Sequence, residues 1–214
     1  HRLIMSSWTY MMSRATYPAY AAADPENRLL WRRSPHRLEV EAIRDSMLLV
    51  SGQLDRTMYG PAMHPFVPRD ALLNHADKTS IWPKFDEQKA SRRTVYAFIK
   101  RSLLVPMLEV LDLCDTTQTS PKRAVTTVPT QALTMFNGNF AMRQAKHFSA
   151  RLRNEAGKSA EEQIELAWRL ALGRLPTGKE LDSMKRFLSE DRSDDGLVQM
   201  CRVIFNLNEF VYPD

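Results

Sequence analysis

Ser34-Pro35-His36-Arg37-Leu38-Glu39-Val40-Glu41-Ala42-Ile43-Arg44-Asp45-Ser46-Met47-Leu48-Leu49-Val50-Ser51-Gly52 is the stretch on which the fold turns. Serine stands where a helix cap accepts from free backbone amides. Proline occupies a first helical position, where its missing N–H costs nothing, and Gly52 lies just past the end. The spacing predicts one helix across this stretch. At about 100° per residue, Val40, Ile43, Met47 and Val50 fall on one side, and Leu38, Ala42 and Leu49 fall nearly opposite. A helix with two apolar stripes is covered by two layers, so it is central. Arg37, Glu41 and Arg44 share the polar edge between the stripes. Asp45 sits where that edge meets the Leu38 stripe.

Toward the C terminus the helical signals are regular. Arg123 to Pro129 reads as an extended run, with Thr130 in the place of an N-cap before a short apolar turn that Asn137-Gly138 breaks. Asn139 is placed to cap a helix whose Ala141, Ala145, Phe148 and Leu152 form one stripe. Ser159-x-x-Glu162 is a capping box leading into Ile164, Ala167, Trp168 and Ala171, with Gly173 as terminator. Thr177-x-x-Glu180 repeats the device before Leu181, Met184 and Leu188. The segment from Leu197 to Leu207 is apolar on most sides and is expected to be buried; Asn208-Glu209 either closes it and ties down the C terminus or is catalytic.

Toward the N terminus, Leu3, Ile4, Trp8, Met11 and Met12 recur at helical spacing, and a loop with Asp24-Pro25 follows. Between Gln53 and Lys89, Gly60, Pro61, Pro65, Pro68 and Pro83 predict a long irregular segment, ordered by Phe66, Trp82 and Phe85. Thr94 to Ile99 fits a buried strand or a buried helix. The extended reading is preferred, with a short helix after Pro106. No repeat accompanies these helices, which argues against a solenoid. The expectation is a mainly α, multi-helix orthogonal bundle with a long irregular insertion and at most a short strand pair. Its two regions, 1–125 and 126–214, join in one continuous domain.

With 214 residues and 43% hydrophobic content the chain can bury a real core. Its basic excess is small, 30 against 25, and the basic pairs Arg32-Arg33, Arg92-Arg93, Lys100-Arg101 and Lys122-Arg123 are dispersed. A nucleic-acid surface would gather them on one face, so none is expected. No apolar run approaches the roughly 20 residues of a membrane-spanning helix. Cys114 and Cys201 lie in no metal or haem motif; they are free thiols or, in an exported protein, one long-range disulfide. The opening His1-Arg2-Leu3-Ile4-Met5 has no start methionine, which suggests a piece of a longer protein.

Several segments resemble a bacterial family, domain of unknown function 1553, a planctomycete-type surface-protein domain. They are His1–Met5, Asp24–Trp31, Arg37–Glu39 through Ala42–Asp45, Leu54–Arg56, Arg92-Arg93 through Arg101-Ser102, and Val125–Leu133. Gly173-Arg174-x-Pro176-Thr177 and Phe205-Asn206-x-Asn208-Glu209-Phe210 complete the set. They run in family order and correspond to the C-terminal part of the family's domain. The resemblance implies a large exported protein, periplasmic or at the cell surface. It also implies partner domains on the same polypeptide, a cytochrome-c-like one among them. It supplies no reaction and no catalytic residues.

The chain's own chemistry is sparse. His36, His64, His75 and His147 have no metal-ligand spacing, no serine lies in G-x-S-x-G, and Asp112 with Asp115 lacks the rest of a calcium loop. Asp194-Asp195 reads as negative charge at a helix N-terminus. No metal or cofactor is expected in this segment. Arg44 and Asp45, with Arg28 and Arg93 as candidate partners, form the one organised polar site. It is either an anion-binding site or an internal salt-bridge network tying the Asn27–Trp31 loop to the central helix. Two function classes follow: a non-catalytic helical module that organises neighbours or binds a ligand, or part of an enzyme acting on extracellular polymers and coupled to a haem domain elsewhere in the chain. A pocket lined by Arg44, Asp45 and a loop histidine would favour the enzyme.

Overall fold

The computed structural model describes residues 1–73, 82–115, 119, 121–190 and 195–213; His75 and Asp194 lie outside them. In chain order the helices are α1 (Arg2–Met5), α2 (Pro18–Ala23), α3 (Val40–Val50), α4 (Arg69–Leu73), α5 (Pro106–Val110) and α6 (Pro129–Asn137). Then come α7 (Asn139–Glu155), α8 (Ala160–Leu172), α9 (Gly178–Glu190), α10 (Gly196–Phe205) and α11 (Asn208–Val211). Among the described residues no strand forms, only the isolated bridges Asp55–Arg92, Met63–Ala97 and Lys100–Leu103. The fold is mainly α. No described helix is long and apolar enough to cross a membrane.

The innermost element is α10. Its Met200, Cys201, Ile204 and Phe205 have no exposed surface, and it packs against α6, α7, α8, α9 and α11. Phe205 stacks on Phe148 of α7 at 5.6 Å between ring centroids and meets Phe210 of α11 at 5.3 Å. On the other side of α7 and α8 lies α3, whose Val40, Ile43, Met47 and Val50 join the same core as Phe148, Leu152 and Ile164. Each such side chain contributes about 1.5–3 kcal/mol by leaving water.

Several helix ends follow the sequence closely. Ser159 Oγ accepts from the Glu162 N–H at 3.4 Å, and Gly173 ends α8 in the left-handed region. Thr177 and Glu180 bond reciprocally across the first turn of α9. Gly52 follows α3 with φ +78°.

Others differ. The central helix begins at Val40, not Pro35. Ser34 Oγ instead accepts from Asn27 Nδ2 at 3.1 Å, and the Leu38 N–H donates to the Val211 carbonyl at 2.9 Å. These long-range bonds hold residues 34–39 out of the helix. Its second covered face is that of Arg44 and Leu48; Leu49, expected in the second stripe, is 45% exposed. Proline 129, not Thr130, opens α6, preceded by Val128 as N-cap, and Gly138 rather than Asn139 precedes α7. Asn208 begins α11 instead of closing α10. The segment Thr94–Tyr96 is a 3₁₀ turn, neither strand nor α-helix, while the short helix after Pro106 forms as α5. Residues read as a loop include α2, and the first dozen residues contain only the single turn α1.

The described part of the irregular segment is pinned as its aromatics suggest. Trp82 is buried and donates Nε1–H to the Pro65 carbonyl at 3.0 Å. Phe66 and Phe85 meet edge to face at 5.3 Å, and the Arg143 guanidinium lies over both rings. Cys114 is an exposed free thiol. Cys201 is a buried one, and burial pushes its thiol pKa well above the usual range.

Candidate functional site

Arg44 and Asp45 leave α3 toward the loop that carries Ala90 to Thr94. Arg44 is 3% exposed. Its Nη1 donates to the Arg92 carbonyl and to Thr94 Oγ1, both at 3.1 Å, and its Nη2 donates to the Ala90 carbonyl at 2.5 Å. Asp45 Oδ1 accepts from the Thr94 N–H at 2.7 Å and from the Thr94 hydroxyl at 2.6 Å. That hydroxyl thus takes a hydrogen bond from the arginine and gives one to the carboxylate. Asp45 is 3.9 Å from Arg44 Nη1 and 3.6 Å from Arg93 Nε, so charge attraction here is looser than hydrogen bonding. Burial pulls the Arg44 pKa down to about 10; Asp45 pushes it back, and the nearby Arg143 charge adds to the fall. The phenyl ring of Phe140 lies 5.1 Å below the guanidinium.

Of the four residues expected together, Arg44, Asp45 and Arg93 meet. Arg28 does not: it is exposed in the turn after α2, where its backbone N–H donates to Asp24 Oδ1 at 3.0 Å. The loop that the central helix ties down is Ala90–Thr94, not Asn27–Trp31. Thr94 is the network's hinge atom by atom, and the sequence offered no signal for it beyond a threonine after an arginine pair.

A cavity of about 190 Å³ opens beside Arg44, between the Pro65–Pro68 segment, α5 and the α6–α7 turn. Its walls carry Phe66, Val105, Met107, Val110 and Phe140, and among the described residues neither Asp45 nor any histidine. His36, His64 and His147 sit elsewhere. His64 packs against Trp82 and Phe98, His147 Nε2 is 3.2 Å from Glu87 Oε1, and His36 is exposed. Among the described residues no three metal-ligating side chains converge.

A second polar cluster explains the Val125–Leu133 motif. Asp112, with φ +62°, accepts from Arg37 Nη2 at 2.6 Å and from the Thr126 N–H at 2.8 Å. Gln131 Nε2 reaches Asp112 at 3.2 Å and the Val110 carbonyl at 3.1 Å. Burial pushes the Asp112 carboxyl up, but the Thr126 and Arg37 hydrogen bonds outweigh it and hold the pKa below the usual range. The motif therefore clamps the chain entering α6 onto the end of α5. Glu41, on the edge of α3, takes both Nη groups of Arg123, which lowers its pKa. Arg174 of the Gly-Arg-x-Pro-Thr turn holds Glu180 and Glu209 together, joining α9 to α11.

The model of one protein family, described as "Protein of unknown function (DUF1553)", matches residues 1–188. No curated protein and no solved structure matches the chain.

Proposed function

Because the chain belongs to the DUF1553 family, we propose that it is a non-catalytic helical module of an exported, multidomain bacterial protein. In this reading it packs against other parts of the same polypeptide and takes no metal or haem in this segment. One observation carries it. Leu3, Ile4, Trp8 and Met11 of the N-terminal segment are 85%, 62%, 88% and 58% exposed. Several large apolar side chains exposed within one short segment mark an interaction site. The polar candidates support the same view, since Arg44, Asp45 and Thr94 are largely engaged in fixing a loop.

Hydrogen exchange tests it. Amides of residues 2–12 should exchange fast in the 214-residue chain and become protected in a longer polypeptide carrying the neighbouring domains. Equal exchange in both would remove the proposal's basis.

A further inference from the structure

Arg44 is not fully spent by the loop it holds. Among the described residues Nη1 meets two acceptors and Nη2 one, while Nε meets none. Nε and Nη2 are neighbours on the guanidinium, and together they form the fork that a carboxylate takes through two parallel bonds. The same side chain lines the 190 Å³ cavity, whose walls are otherwise apolar apart from Thr134 and Asn139 and include no described acid. Asp45 approaches the opposite nitrogen, Nη1, and only to 3.9 Å. The cavity thus has a buried cationic side chain in its lining and a hydrocarbon body. For scale, an apolar cavity of about 150 Å³ holds a benzene ring.

We propose that this cavity binds a small monocarboxylate with an apolar body of about one aromatic ring, its carboxylate on Arg44 and its body between Phe140 and α5. The loop contacts of Arg44 preorganise the guanidinium, so binding costs little side-chain entropy. An uncharged isostere would leave the fork without an anionic partner and lose the charge-assisted bonds. Larger or doubly charged acids would exceed the space or bring an unpaired charge into it.

Phenylacetate and phenylacetamide are the probes, titrated calorimetrically into the 214-residue chain. Phenylacetate should bind saturably with one site, and phenylacetamide about tenfold more weakly or worse. Because Arg44 also supports the fold, the variant is Val110→Phe, which fills the cavity from α5 and leaves every Arg44 bond in place. It should keep the wild-type melting temperature and lose phenylacetate binding. Equal affinity for acid and amide, no phenylacetate binding at millimolar concentration, or undiminished binding by Val110→Phe would each overturn the assignment. These outcomes are separate from the surface reading of the N-terminal segment, whose exchange protection does not depend on this cavity.

Discussion

Arg44 and Asp45 are adjacent in sequence but hold the loop by different means. The arginine supplies buried donors to two carbonyls and a hydroxyl, and its removal strands all three. The carboxylate supplies an acceptor to Thr94 from a side chain that is 19% exposed. Arg44→Met is therefore expected to cost about 3–5 kcal/mol, as for breaking a buried charged network. Asp45→Asn, which retains an acceptor oxygen, should cost about 1–2 kcal/mol. Urea unfolding of both variants measures the difference; equal losses, or a larger loss for Asp45→Asn, would show that the ion pair dominates. The sequence made the site legible up to a point. The narrow polar edge of α3 located Arg44 and Asp45, and a loop cover was expected. Their partners were not legible, because two are backbone carbonyls, whose positions follow from the loop's path and leave no trace in residue type.

At the scale of elements, the clearest readings were those in which a signal and its partner lie within one turn. Thr177-x-x-Glu180 forms as written, and Glu180 also takes two N–H groups from Arg174 at 2.9 and 2.8 Å. The Arg174 bonds, opposed by burial and reinforced by Thr177, lower the Glu180 pKa from 4.5 to about 2. A carboxyl with a depressed folded pKa stabilises the fold above its unfolded value, and that stability drains away as pH falls toward the folded one. Glu180→Gln should thus lower the melting temperature at pH 6, and the gap to wild type should narrow between pH 4.5 and 2. A gap that stays constant through this window would contradict the assignment. The Ser34-Pro35 signal failed for the opposite reason: tertiary partners, Asn27 and Val211, claimed the same backbone and side chain. Gly138 is a further case. A Cβ there would overlap the Thr134 carbonyl oxygen, which already accepts the Gly138 N–H at 2.9 Å. Gly138→Ala should cost about 1–3 kcal/mol by forcing α6 and α7 apart, read as a shift of the urea midpoint with an unchanged slope; a neutral result would mean the turn relaxes freely.

On the scale of the whole molecule, the match to the family ends at residue 188, but the core does not. Helix α10, beyond that point, contributes Leu197, Val198, Met200, Cys201, Ile204 and Phe205, all buried, against five other helices. At about 1.5–3 kcal/mol each, the five of these other than Cys201 contribute roughly 7.5–15 kcal/mol, as much as the entire net stability of a typical domain. The same core runs from Val40 of α3 to Phe210 of α11, so α3 is tied to α10 through α7 and α8. A chain truncated after Glu190 should therefore lose ordered packing throughout, α3 included. Near-ultraviolet circular dichroism measures this, and Cys201 supplies a second readout in the intact chain. A thiol reagent should modify exposed Cys114 at once and reach Cys201 only at the rate of global unfolding. Retained tertiary signal in the truncated chain, or rapid labelling of Cys201 under native conditions, would mean that α10 docks on a bundle already stable without it. The unbroken core predicts the reverse: α10 is what closes it.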